Sequence, residues 1–228
     1  MLSNLKKKRF SRSIGIVGGA GPVASAFLYN TIIEICQREY GANDYNEFPE
    51  IIIESYPFTR GDSEKIRHDI SLCLRKLKSA GAELFSIASN SLHGFLPDVS
   101  SFDFVNLVQE SLQEASRLGI SKPLILAAKS TIDLKLYEQT GLQCVYPEDQ
   151  NQIQKIIREV AGGEVSQPQA EKLAEIIQCS QIDGVIIACT ELPLIHRQFP
   201  LIQTSLPVID TVEVLAKRLL TLSLSSLP

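Results

Sequence analysis

No stretch of the sequence is apolar for the roughly 18 residues that a bilayer-spanning helix needs, and the N-terminus has no apolar h-region of a signal peptide. These absences argue against a membrane protein and a secreted one, and the expected location is the cytoplasm. The cysteines number five, an odd count with no Cys-x-x-Cys pair, so neither a disulfide framework nor a zinc site is indicated. His68, His93 and His196 lie too far apart in the chain to suggest metal ligands, and no metal is expected. Positive charge is scarce beyond the start. Lys6, Lys7, Lys8, Arg9 and Arg12 are five of the 22 basic residues, and the rest of the chain sets 17 basic against 26 acidic groups, a net of −9. An acidic body argues against nucleic acid as a partner, and the short basic terminus reads as a solvated tail. Long low-complexity linkers are also missing, so two halves, if present, should touch over a broad interface.

The remaining composition is ordinary for a globular protein: 228 residues, 44% apolar and 21% charged, enough for one large core or two small ones. Within it, Gly184-Val-Ile-Ile-Ala-Cys189-Thr-Glu-Leu-Pro193 stands out. Val185 to Ala188 are too apolar for a half-exposed strand and fit a central parallel one. Leu84-Phe-Ser-Ile-Ala88 has the same shape and runs into Ser89-Asn90-Ser91-Leu92-His93. Laid side by side, residues 87–91 and 187–191 both open on Ile-Ala and then turn polar, with the Ser89 hydroxyl where the other has the Cys189 thiol. Parallel sheets place ligands just beyond the carboxyl ends of their strands, so the two ends are expected to face each other across one cleft.

The other elements alternate. Ser13–Val17 predicts a strand, followed by the turn Gly18-Gly19-Ala20-Gly21-Pro22 and a helix from about Val23 to Glu39, with Pro22 suited to the first turn. The turn matches neither a dinucleotide fingerprint nor a Walker loop. Its backbone amides, with Gly18 among the site residues, are expected to hold a carboxylate or small anion. Strand Ile51–Tyr56 leads to a loop carrying Arg60, whose guanidinium is suited to fork onto a carboxylate, and then to a helix from Ser63 to Ala80 stopped by Gly81. A short strand near Phe104–Leu107 and a helix to Leu118 complete the first half. The pattern restarts with strand Leu124–Ala127, a helix from a Thr131 cap to about Gln139, and strand Gln143–Tyr146. Helices from Asp149 to Ala161 and Gln169 to Gln178 come next, then the Gly184–Ala188 strand, Pro207–Ile209 and a closing helix from Thr211. Such alternation implies right-handed βαβ units, parallel sheets and an α/β fold.

A thiol works as a base on a carbon acid only when its pKa is pulled toward neutrality. Cys189, followed by Thr190 and the helical-looking Leu192–Gln198, is expected to have amide and hydroxyl donors that do this. The stretches Ile14–Pro22, Gly81-Ala82, Asn90–His93, Gly184–Glu191 and Pro207–Asp210 together resemble the cofactor-independent aspartate/glutamate racemase family, over nearly the whole chain. The resemblance implies two pseudo-symmetric flavodoxin-like parallel-sheet domains with the active site in the cleft between them, the first at 1–118 with 208–228 packing back on it and the second at 119–207. It also implies a homodimer, a small amino-acid or carboxylate substrate, and chemistry without pyridoxal phosphate or another cofactor. Carried over by position, Cys189 is one catalytic residue and Ser89 stands where the second cysteine belongs, while Asn90, Ser91, Thr131, Thr190 and Glu191 line the substrate head group. Arg60 is offset by about a residue from the family's arginine.

The departures bear on mechanism. A serine hydroxyl is far too weak a base to replace a thiolate unless another group takes its proton, and His93 is the candidate the sequence offers for that. Relatives with threonine at this position resemble one-handed racemases, so the expected activity is Cα proton abstraction and reprotonation favouring one enantiomer. Ala127-Ala128 replaces a usual Gly-Thr, and a lysine of some members is absent near Ala161-Gly162; both positions bear on which side chain is taken. Two other readings stay open: a single-cysteine decarboxylase of the arylmalonate type, and a non-catalytic amino-acid-binding protein.

Overall fold

Four strands buried along their whole length form the greater part of two parallel sheets. The computed structural model describes residues 10–59, 61–138, 141–178, 181–199 and 206–224; Arg60, Cys179 and the basic run Lys6–Arg9 lie outside the described residues. Strand β1 (Ile14–Gly18) sits between β2 (Ile51–Ser55) and β3 (Leu84–Ile87), and β4 (Asp103–Phe104) adds to β3. The second sheet has β6 (Gly184–Ala188) between β5 (Pro123–Ala127) and β7 (Val208–Asp210). Every pairing is parallel. Helices α1 (Pro22–Tyr40), α2 (Ser63–Ser79) and α3 (Leu107–Arg117) return the chain in the first half. Helices α4 (Lys129–Asp133), α5 (Gln150–Ala161), α6 (Gln167–Gln178) and α7 (Leu192–Gln198) do so in the second. The last helix, α8 (Thr211–Ser223), packs back on α1 and α3.

Helix starts follow local chemistry. Asp62, Asn106, Asp149 and Asp210 each accept a first-turn amide of the helix they precede, satisfying donors that have no partner within the helix. Pro22 opens α1, and Gly81, at φ 99, ends the turn after α2, where a left-handed residue is needed.

Side-chain alternation splits each strand between two cores. Ile14, Ile16 and Leu84 of the first sheet share one apolar cluster with Ile125, Ala127, Ile186 and Ala188 of the second, together with Ile32 of α1 and Leu215 and Leu219 of α8. The opposite faces pack separately: Val17, Phe85 and Ile87 with Ile70 and Leu74 of α2, and Leu124, Leu126, Val185 and Ile187 with side chains of α5, α6 and α7. Ala88 and Ala188, the residues just before Ser89 and Cys189, therefore belong to the same core. Each fully buried side chain such as Ile186 contributes about 1.5–3 kcal/mol to holding the strand ends in place.

Three expectations are corrected. Thr131 does not cap a helix; it lies inside α4, its N–H bonded to the Ala128 carbonyl, and the helix ends early because Lys135 takes a left-handed φ of 52. Gln143–Tyr146 is not a strand: Val145 alone bridges to β5, beside Leu124, and Pro147, with no N–H, cannot continue the ladder. The strand expected at Phe104–Leu107 is the two-residue β4, and Leu107 already starts α3 because the Asn106 side chain caps it.

Candidate active site

The sheet geometry delivers two short polar segments to one cleft. Strand β3 ends at Ile87 and hands on Ser89 and Asn90 to a 3₁₀ turn at Ser91–Phe95; strand β6 ends at Ala188 and hands on Cys189, Thr190 and Glu191 to α7. Ser89, Asn90, Ser91, Thr131, Cys189, Thr190 and Glu191 all line this cleft, as do Ala20 and Gly21 of the β1–α1 turn. Gly18 does not reach it: its carbonyl accepts from the Tyr56 N–H at 3.0 Å. Gly61, next to Arg60, is on the rim.

Within the glycine-rich turn, the Gly19 amide is turned inward and not toward the cleft. Gly19 N–H donates to Ser25 Oγ at 3.1 Å, and that hydroxyl donates to the Gly21 carbonyl at 3.2 Å. At φ 94, Gly19 presses its Cα against the Tyr56 backbone so closely that a Cβ would lie 2.3 Å from the Tyr56 oxygen, which leaves room for glycine alone. The anion beside this turn is the protein's own: a Cβ on Gly21 would stand 2.4 Å from Glu191 Oε1.

Glu191 also governs the thiol. Cys189 Sγ donates to Glu191 Oε2 at 3.0 Å, and Thr190 Oγ1 donates to the same oxygen at 3.3 Å. Burial and the Glu191 charge and hydrogen bond push the Cys189 pKa well above its usual value, against the smaller pull of the Glu191 and Leu192 amides. The expected thiolate-stabilising setting is thus corrected. The amide donors exist, but a carboxylate within hydrogen-bond reach in a buried site outweighs them, and Cys189 rests as a neutral thiol.

On the other side, Ser89 Oγ lies 3.4 Å from Ser91 Oγ. His93 offers Ser89 no help. Its Nε2 accepts from the Leu107 N–H at 3.2 Å, so the proton is on Nδ1, which donates to the Ser89 carbonyl at 2.7 Å. Both ring nitrogens serve the backbone, tying the Ser89 loop to the start of α3. Sequence position suggests a base; the fold makes His93 a brace.

Burial lowers the His93 pKa to about 4 from 6.5. Because the folded value lies below the unfolded one, the unfolded chain binds the extra proton between these pH values. Stability is full above about pH 6.5 and falls as pH drops toward 4, by about 3 kcal/mol from this residue. Asp210, pushed up to about 6 by burial, acts in the opposite sense in an overlapping range. Urea unfolding at pH 7, 5 and 4 should therefore show a steeper acid loss for the parent than for His93→Asn, both proteins keeping Asp210. Parallel pH profiles would exclude a buried neutral imidazole.

The second half's wall contains groups that sequence reasoning misses. Gln150, the first residue of α5, donates through Nε2 to the Ala127 carbonyl at 2.8 Å. Its Oε1, like Thr131 Oγ1, is buried with no hydrogen-bond partner among the described residues. Lys129 and Arg158 bring positive charge to the same wall. Lys129 carries a usable signal, since it lies just past the end of β5, at a strand-to-helix junction where α/β ligands bind.

A family model described as Asp/Glu/Hydantoin racemase matches residues 17–219. The broad specificity amino-acid racemase RacX of Bacillus subtilis is 26% identical over 220 residues, covering 90% of this chain and 95% of the relative. Among solved structures, an aspartate racemase homologue from Pyrococcus horikoshii is 29% identical with a TM-score of 0.76, covering 93% of this chain and 99% of its own. The aspartate racemase of Picrophilus torridus, at 22% identity and a TM-score of 0.76 over 93% of this chain and 94% of its own, shares the fold.

Proposed function

Because the chain belongs to the Asp/Glu/Hydantoin racemase family and is thereby an isomerase of the amino-acid racemase kind, we propose that it inverts an α-amino acid by moving the Cα proton through Cys189, without pyridoxal phosphate and chiefly from one enantiomer. The observation that carries this reading is the pairing of the Cys189 and Ser89 strand ends on one shared core, opening on one cleft. A neutral thiol is ready to deliver a proton to a Cα carbanion. In the reverse sense the Sγ proton passes to Glu191 Oε2, 3.0 Å away, and the thiolate takes the Cα proton. Backbone amides near Ser91 and Thr190 hold the enolate oxygens as charge grows there. Among the described residues the side-chain neighbour of Ser89 Oγ is the Ser91 hydroxyl, so the opposite face lacks a competent base; inversion is completed there by a proton delivered from the Ser89 hydroxyl, which solvent water then replaces.

For the side chain we propose an acidic amino acid of the aspartate or glutamate type, supported by the cations Lys129 and Arg158 on the wall and by the racemase homologue from P. horikoshii. RacX, by its name a broad specificity enzyme, makes neutral amino acids the necessary comparison. The neutral thiol without an opposing base also favours a second reading, a single-cysteine decarboxylase that protonates an enediolate. One experiment addresses both. Each enantiomer of aspartate, glutamate and alanine is incubated separately with the protein in deuterium oxide, following the Cα proton by NMR, alongside carbon dioxide release from an arylmalonate. Exchange is expected from an acidic amino acid, much faster from one enantiomer. Carbon dioxide release without exchange would replace the racemase reading by the decarboxylase.

A further inference from the structure

One buried chain of side-chain hydrogen bonds links the two strand ends. Thr211 Oγ1 donates to the Ile187 carbonyl at 2.9 Å, Asn90 Nδ2 donates to Thr211 Oγ1 at 3.3 Å, and Tyr137 Oη donates to Asn90 Oδ1 at 2.5 Å. Each of the four residues comes from a different segment: Asn90 lies just past β3, Tyr137 lies beyond α4, Ile187 is in β6, and Thr211 opens α8.

The direction of every bond is set from one end. A backbone carbonyl can only accept, so the single hydroxyl proton of Thr211 is committed to Ile187. Thr211 must then accept from its other neighbour, which puts the Asn90 nitrogen toward it. The carboxamide oxygen is therefore turned to Tyr137, and the phenol must donate. Tyr137 is 1% exposed, and burial pushes its pKa up, so this proton stays in place across the working pH range. With Oδ1 and one amide hydrogen held in the interior, the group that Asn90 has left for the cleft it lines is its second N–H.

The geometry assigns Tyr137 and Thr211 as positioning residues that lock the Asn90 carboxamide with an N–H, not an oxygen, toward the ligand. A fixed donor there selects an oxygen of the substrate, a carboxylate whose charge grows as the enolate forms, and rejects the ammonium group. The same links register the Ser89 loop against the strand that carries Cys189, since Asn90 follows Ser89 and Ile187 lies two residues before Cys189. The catalytic part of this inference rests on the racemase reading; the orientation of Asn90 does not.

The test therefore has a protein-only arm and a kinetic arm. In ¹⁵N-labelled protein, the Asn90 side-chain amide is assigned by its loss in Asn90→Asp, and its hydrogen exchange is measured in the parent, Tyr137→Phe and Thr211→Val. Both variants are near-isosteric and remove one hydroxyl. Exchange of the protected amide hydrogen is expected to rise at least tenfold in each, and Thr211→Ser, which keeps the hydroxyl, should restore protection. Unchanged exchange in both Tyr137→Phe and Thr211→Val overturns the proposal, whatever the enzyme's substrate. In the kinetic arm, on the amino acid found to exchange, Tyr137→Phe is expected to lower kcat about tenfold with KM changed less than twofold, because the donor matters most where charge develops. A rise in KM alone, or no effect on kcat, overturns the positioning role while leaving the racemase reading intact. If no amino acid exchanges, the racemase reading fails and the amide measurement still decides the orientation.

Discussion

Changing Cys189 to Ser should lower Cα proton exchange by roughly 10²–10⁴-fold, the range expected when a positioned acid or base is lost. The substitution is conservative in shape. Cys189 is 4% exposed, and a hydroxyl there still donates to Glu191, so the folded state should lose no more than about 1 kcal/mol. The neutral hydrogen bond survives while the capacity to form a usable anion does not. Solvent deuterium wash-in at saturating substrate, read beside a urea melt of the same sample, separates the two effects. Activity within tenfold of the parent would remove Cys189 from the proton path.

Ser89→Cys should have the opposite sign on the slow enantiomer, raising its exchange by about 10²-fold or more while the fast enantiomer changes little. The new thiol sits at the end of β3 with the Ser91 hydroxyl nearby, whereas Cys189 faces the carboxylate of Glu191. The two faces would then differ in electrostatics though not in nucleophile. Cα proton exchange in deuterium oxide, followed by NMR from each pure enantiomer, reads the two faces separately, whereas net racemisation in the two directions is tied by an equilibrium constant of one. A variant that stays one-handed would locate the asymmetry in the acceptor for the thiol proton and not in the hydroxyl.

The fold is readable wherever burial leaves a simple trace. Strands β1, β3, β5 and β6 are covered on both faces and so read as apolar runs, broken only in β3 by the buried Ser86, whose hydroxyl donates to the Val105 carbonyl, and α7 begins and ends where the pattern after Cys189 places it. Seven of the nine expected site residues line one cleft because they come directly after such strands or lie in the α4 turn after β5. The features that escape the sequence depend on contacts between distant segments. The Glu191 carboxylate folding back onto Cys189, the two nitrogens of His93 serving Ser89 and Leu107, and the Tyr137 phenol meeting Asn90 are set by tertiary packing, which spacing along the chain does not encode. Thr131 misleads for a related reason: a threonine before a polar stretch looks like a cap, but Ala128 holds that place and the hydroxyl is buried.

The core shared by the two sheets limits how a ligand gets in. Swinging one sheet away from the other about a hinge would uncover Ile125, Ala127, Ile186 and Ala188 together with their partners Ile14, Ile16 and Leu84. Baring even roughly 400 Å² of such surface costs about 10 kcal/mol, comparable to the whole stability of a domain. Entry by parting the sheets is thus disfavoured, and a ligand would reach the cleft past the exposed residues that line it, Gly61, Lys129 of α4 and Arg158 of α5.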